Sequence, residues 1–179
     1  MDFVAIDFET ANAQRASACS LALTVVKNNQ VTDQLYSLLN PHTYFDQRNI
    51  RIHGITADDI QEAPTLAELW PHIASFFQAD KLVAAHNARF DCSVLQKSLQ
   101  AFDLPPAQFA VIDSLQTSRR LLKGFENYRL NTVCQNLNIK LEHHHNALDD
   151  SLACANILLW QAKHFGQENL LHLSKHYNN

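Results

Sequence analysis

The stretch DFVAIDFET at residues 2–10 constrains this chain more than any other, because it sets two carboxylates inside an apolar, strand-forming run. Residues i and i+2 of a strand face the same side, so Asp7 and Glu9 emerge together, about 6–7 Å apart. Like charges at that separation repel unless a cation or a proton intervenes. Two arrangements satisfy the sequence. Either the strand ends near residue 6 and both acids stand in solvent, or the strand continues and something positive balances them.

The segments that follow read first as a sheet. CSLALTVVKNN at 19–29 and QVTDQLYSLLNP at 30–41 are β-branched, alternating runs, and Asn28-Asn29 between them is a hairpin turn. Residues 41–64 are loop-like, with a short helical candidate at 56–60 that starts at Thr56 and carries Asp59 three residues on. From Thr65 the period becomes helical. Thr65 and Glu68 form a capping box, and Pro71 should kink or interrupt the helix behind it. The pattern then predicts a strand over 81–86, a helix over 88–102, a break at Pro105-Pro106 and a strand over 108–114. Helices follow around 114–122, 129–137 and 147–164, and a last one covers QENLLHLSKHY. A meander followed by alternating strands and helices describes an α/β fold, a mixed sheet covered by helices. Acids converge on ligands at strand ends and helix starts in such folds.

A chain of 179 residues with 46% hydrophobic and 18% charged residues is long enough for one well-packed domain and is not disordered in composition. No apolar stretch reaches the ~18 residues of a membrane span, and no basic region leads into an apolar run at the N-terminus, so no membrane contact and no leader are expected. Cys19, Cys92, Cys134 and Cys154 are scattered and form no CxxC pair, which fits buried thiols in a cytoplasmic protein rather than a zinc ribbon. Three glycines exclude a glycine-rich phosphate loop. The net charge of −4 disfavours a polyanionic partner, unless divalent cations neutralise acids at the binding site.

Further acids stand where such a site could form. Asp91 of HNARFD lies in the first turns of the helix that follows the strand KLVAAH, Asp149 and Asp150 of HHHNALDD stand at the start of a later helix, and Asp113 ends a strand before Ser114. Capping and the helix dipole alone explain an isolated acid at such a place, and Asp113 reads as a cap. The ordered conjunction is more demanding: D-x-E, then H-N-A-x-F-D, then H-x-x-x-x-D.

With these three motifs in this order, the chain resembles the DEDD-type 3′→5′ exonucleases of the histidine subgroup. That group includes the proofreading epsilon subunit of DNA polymerase III, polymerase exonuclease domains and ribonuclease T. The likeness covers residues 2 to about 165, and IHGIT at 52–56 and NYRLNTVCQNLNI at 127–139 look like that family's connecting segments. It implies a single exonuclease domain, which with the last helical stretch is expected over 1–179, the C-terminal helix covering 166–179. The implied fold is ribonuclease H-like, an antiparallel meander plus parallel strands flanked by α-helices. It implies that Asp7, Glu9, Asp91 and Asp150 hold two divalent cations, Mg²⁺ or Mn²⁺, with Asp7 shared between them. His145 is the implied general base; H-x-A-x-x-D pairs it with Asp150, whereas the neighbouring register pairs His144 with Asp149. Thr10, Ile55, His86, Asn87 and Phe90 are the implied substrate contacts. The family often continues D-x-E with Thr-Thr-Gly, where this chain has Thr10, Ala11 and Asn12.

The expected activity is hydrolysis of single-stranded or frayed 3′ ends to nucleoside 5′-monophosphates, with DNA favoured over RNA. A polymerase or repair partner would act in trans. The competing readings are an RNA-trimming enzyme of the same fold, a non-catalytic nucleic-acid or partner-binding module, and a phosphohydrolase of shorter substrates.

Overall fold

The computed structural model describes residues 1–177. Its centre is a six-stranded mixed sheet in the order β3-β2-β1-β4-β5-β6. Strands β1 (Phe3–Thr10), β2 (Ala18–Lys27) and β3 (Gln30–Leu38) form the antiparallel meander. β4 (Leu82–Ala85) lies parallel to β1, and β5 (Phe109–Asp113) parallel to β4. Asn28 and Asn29 both take positive φ, 52° and 61°, as a two-residue turn between right-twisted strands requires. Among the described residues seven α-helices flank the sheet, which is the ribonuclease H-like arrangement.

The pleat of β1 sorts its side chains onto two helical layers. Val4, Ile6 and Phe8 join the core beneath α2 (Leu66–Ile73) and α3 (Ala88–Ala101), where Ile73, Val94, Leu95 and Leu99 are fully buried. Each such side chain contributes roughly 1.5–3 kcal/mol relative to an exposed one. Phe3 and Ala5 face the other layer, against α6 (Ala147–Phe165). Small residues at 151, 153, 154 and 155 let α6 approach closely, and Ser151 Oγ lies 2.9 Å from Thr24 Oγ1 on β2. Asp7 and Glu9 continue the α6-facing row.

Local chemistry accounts for the element ends. The Thr65–Glu68 capping box is formed, with the Thr65 N–H donating to Glu68 at 2.7 Å. α2 runs only two residues past Pro71, then tightens into a 3₁₀ turn at Ala74–Phe76, since proline removes one helical hydrogen bond. Asp113 caps α4 (Ser114–Leu121), accepting from the N–H groups of Leu115 and Gln116. α5 spans Leu130–Leu137.

Two segments depart from the sequence pattern. Residues 41–64 contain a helix, α1 (Gln47–His53), capped by Asp46 and closed by Gly54 at φ 79°. It buries no side chain, so it leaves no apolar period to read. The helical candidate at 56–60 is a turn, where Asp59 accepts from the N–H and O–H of Thr56 at 2.7 and 2.6 Å. The C-terminal segment is not one helix. α7 covers Gln167–Leu171, and Lys175–Tyr177 form β6, which pairs antiparallel with β5 and stacks Tyr177 on Phe109. Pairing with an open sheet edge outweighed local helix propensity. The last two residues of the expected helix lie outside the described ones.

Candidate active site

β1 does not stop at residue 6; it runs to Thr10 and carries both acids with it. Its register with β2 slips between Glu9 and Thr10, where a bulge ends regular pairing. The strand ends beside the start of α3, because β4 pairs with β1 at Val4–Val83 and Ala5–Ala84 and leads directly into that helix. Asp91 sits in the first turn of α3, 2% exposed, and its Oδ1 accepts the Phe8 N–H at 3.1 Å. Asp150 comes from the opposite layer, in the first turn of α6, 5% exposed. Asn146 caps that helix through the amides of Leu148 and Asp149.

Oxygens of Asp7, Glu9 and Asp150 lie within 4.8 Å of one another, and Asp91 joins them on the wall of one open cleft of about 980 Å³. Among the described residues, no lysine or arginine forms an ion pair with any of the four. Burial and then repulsion from Asp91, Asp150 and Glu9 push the Asp7 carboxyl well above the ordinary carboxylate range. Burial, followed by Asp150 and Asp91, raises Glu9 to about 8. Burial raises Asp91 to about 8, against the opposing hydrogen bond from Phe8.

These directions set how the metal-free protein responds to pH. Below the ordinary carboxylate range, folded and unfolded chains both hold these protons. As pH rises toward about 8 the unfolded chain has released them while the folded chain retains them, so stability falls across that interval. Thermal melts in chelator should therefore decline from pH 5 to pH 8 and level off above. Asp91→Asn, which keeps an acceptor for the Phe8 N–H, should melt higher than wild type at pH 8.5, by about 5 °C for ~2 kcal/mol. A flat or rising wild-type profile would contradict this account of the acids.

The histidines are arranged less simply than the motif implies. His145 adopts φ 68°, exposes its ring to the cleft and stacks on His144 at 3.9 Å between centroids. It touches Asp150 through its backbone N–H, at 3.0 Å, whereas the ring that meets Asp150 is that of His144, with Nδ1 at 3.2 Å from both oxygens. His143 pairs with Asp149 at 3.0 Å. Partial removal from water, and then His144, lower the His145 pKa below its usual 6.5.

The other implied contacts divide. Thr10, Asn87 and Phe90 line the cleft. Arg15 holds its guanidinium 4.2 Å from the centre of the Phe90 ring, so this residue faces the cleft rim as well as the core. His86 also lines the cleft, but its nitrogens are engaged, Nδ1 with Ser114 Oγ at 2.8 Å and Nε2 with the Tyr128 carbonyl at 3.0 Å. It ties the end of β4 to the α4–α5 connection. Ile55 is not on the cleft wall; Ile52 is. Ile55 instead donates its N–H to His53 Nδ1 at 3.0 Å, which leaves His53 Nε2 as the donor to the Thr10 carbonyl at 3.2 Å. Asn49 donates to the same carbonyl at 2.7 Å.

Asn49 and His53, both on α1, thus hold the end of β1. The inclusion of His53 in IHGIT was the only sequence signal for them, while the far wall at Asn127–Asn131 was marked by NYRLNTVCQNLNI. Asp113 does more than cap α4. It also accepts from the N–H groups of Asn87 and Ala88, at 3.1 and 3.2 Å, and so braces the left-handed Asn87 (φ 74°) from which α3 starts. Ala11 and Asn12 are buried, and Asn12 donates to the Tyr44 carbonyl at 2.8 Å, fastening the loop after β1.

A family model described as an exonuclease matches residues 4–158. A PolC-type DNA polymerase III from Oceanobacillus iheyensis is 37% identical over 161 residues, 89% of this chain and 11% of the polymerase. The PolC-type polymerase of Bacillus subtilis is 32% identical over 171 residues, 94% of this chain and 12% of that protein. The chain thus spans 11–12% of the length of these relatives. In fold it is similar to exonuclease X in complex with 5′-overhanging duplex DNA, with a TM-score of 0.76 at 22% identity over 94% of this chain and 96% of that one. It is also similar to Escherichia coli exonuclease I in complex with a dT13 oligonucleotide, with a TM-score of 0.80 at 17% identity over 96% of this chain and 42% of that one.

Proposed function

This chain belongs to the exonuclease family, of the DEDD 3′→5′ type, and on that premise we propose that it removes nucleotides one at a time from single-stranded or frayed 3′ ends, releasing nucleoside 5′-monophosphates. The observation that carries the reading is the meeting of Asp7, Glu9, Asp91 and Asp150, from three separate elements, with no lysine or arginine ion-paired to any of them among the described residues. Carboxylates without a thiolate are a hard-oxygen donor set, which fits Mg²⁺ or Mn²⁺. Asp7, Glu9 and Asp150 would hold one ion and Asp7 with Asp91 a second. Such a pair supplies an activated nucleophile and charge stabilisation at the phosphoryl group.

The chain's own residues do the rest. His145, neutral near pH 7, accepts the proton of the attacking water. His144 stays with Asp150 and orients it. Phe90 and Ile52 offer apolar surface to the terminal bases, and base stacking on such surfaces tolerates any sequence. Asn49 and His53 hold the Thr10 carbonyl in place at the cleft floor. DNA is the favoured substrate because the PolC-type relatives are DNA polymerases. A proofreading or repair role alongside a polymerase is proposed on the same likeness. No helix among the described residues is long and apolar enough to cross a membrane, and the four free, buried thiols suit a reducing, cytoplasmic setting.

Matched single-stranded DNA and RNA, incubated with wild type and Mn²⁺, test the reading directly. The expected result is stepwise shortening from the 3′ end with mononucleotide release, faster on DNA. Faster release from RNA would reassign the enzyme to RNA trimming. Binding without any release would leave a non-catalytic module.

A further inference from the structure

Beside the active-site cleft, between α3, α4 and the β5–β6 edge, lies a second groove of about 630 Å³. Arg89, Arg119, Arg120 and Lys175 line it, all four exposed and, among the described residues, none in an ion pair. Its one carboxylate, Asp113, accepts four backbone N–H groups, from Asn87, Ala88, Leu115 and Gln116, so its oxygens are already engaged, and the four cations outnumber its single charge. In a chain of net charge −4, four uncommitted cations around one concave surface are a local reversal of sign.

The groove is continuous with the cleft. Gln116 and Arg119 line both. β6 matters here, because pairing with β5 brings Lys175 to the groove from the far end of the chain. A guanidinium fork and a lysine ammonium both suit phosphate oxygens, and a run of them along a concave path suits a polymer of phosphodiesters rather than a single anion.

We propose that this basic groove binds the phosphate backbone of the substrate single strand upstream of its 3′ end, the strand passing over Arg119 from the cleft. The proposal rests on the exonuclease reading for the position of the 3′ end, and it separates two functions. The cleft handles the last nucleotides, and the groove supplies length-dependent affinity.

The test is the triple variant Arg89→Ala/Arg120→Ala/Lys175→Ala, which spares Arg119 and every residue of the cleft wall. With Mn²⁺, its KM for a single-stranded 20-mer should rise about tenfold with kcat unchanged, while KM and kcat for a dinucleotide stay at wild-type values. In chelator, anisotropy of a labelled 20-mer should show weaker binding. The slope of log K against log salt should become shallower by about 2, at ~0.7 for each phosphate that the protein no longer neutralises. Wild-type affinity and slope in the variant would overturn the groove. So would a defect confined to duplexes with a recessed 3′ end, since the groove would then hold the opposite strand. If wild type binds the 20-mer yet releases no nucleotide, the exonuclease reading fails, and the chelator comparison still decides the groove. Conservative Arg89→Lys/Arg120→Lys changes should restore most of the 20-mer KM, which separates lost charge from disturbed packing.

Discussion

Asp7→Asn protein should release mononucleotides more slowly than wild type by at least about 10³-fold, because an uncharged amide replaces the carboxylate on which repulsion from the other three converges. Asp7 is the one acid whose raised pKa reflects Asp91, Asp150 and Glu9 together, so no neighbour is placed to substitute for it. Saturable Mn²⁺ binding, followed by calorimetry, should weaken or vanish in parallel. The metal-free variant should be at least as stable as wild type at pH 8, since the amide is neutral without having to hold a proton that the unfolded chain has released. Loss of activity with undiminished Mn²⁺ binding would remove Asp7 from the metal site. Loss of both with an unfolded protein would make its role structural.

His145→Ala should lower kcat by about 10²–10⁴-fold, the range in which general-base catalysis operates, while Mn²⁺ and oligonucleotide binding persist. The geometry makes His144 the necessary control. Its ring, not that of His145, meets Asp150 through Nδ1, and in the proposed mechanism that ring orients the carboxylate rather than taking the proton from water. His144→Ala should therefore retain turnover within about tenfold of wild type. In wild type the acid limb of the pH–rate profile should lie below pH 6.5, because the His145 pKa is lowered; activity falls as the ring becomes protonated, and that limb should disappear in His145→Ala. If His144→Ala shows the larger loss and the altered limb, the base is His144 and the two rings exchange roles.

The physical reasons for what was legible differ from segment to segment. β1 through β5 announced themselves through alternation or short apolar runs, α3 and α6 through 3.6-residue periodicity. The capping box at Thr65 and the double-asparagine turn are local chemistry that needs no tertiary context. α1 and β6 were hidden because neither buries a continuous apolar face: α1 is held by its caps at Asp46 and Gly54, and β6 by pairing with β5, remote in the chain. The acids could be picked out because three motifs occur in a specific order, not because any one of them is unusual at its position.

The sequence by itself determined the chemistry on offer: hard oxygen donors on one strand and two helix starts, histidines ahead of the last, and no thiolate among them. Side-chain alternation and capping preferences act over a few residues, so those features are written locally. Only the tertiary structure decided which imidazole meets Asp150, that Ile52 rather than Ile55 borders the cleft, and that His86 is bound within the protein. It also decided that Lys175 joins Arg89 and Arg120 around one groove. Those are matters of distance between groups far apart in the chain, fixed by the pairing of β1 with β4 and of β5 with β6, and no local pattern of residues encodes them.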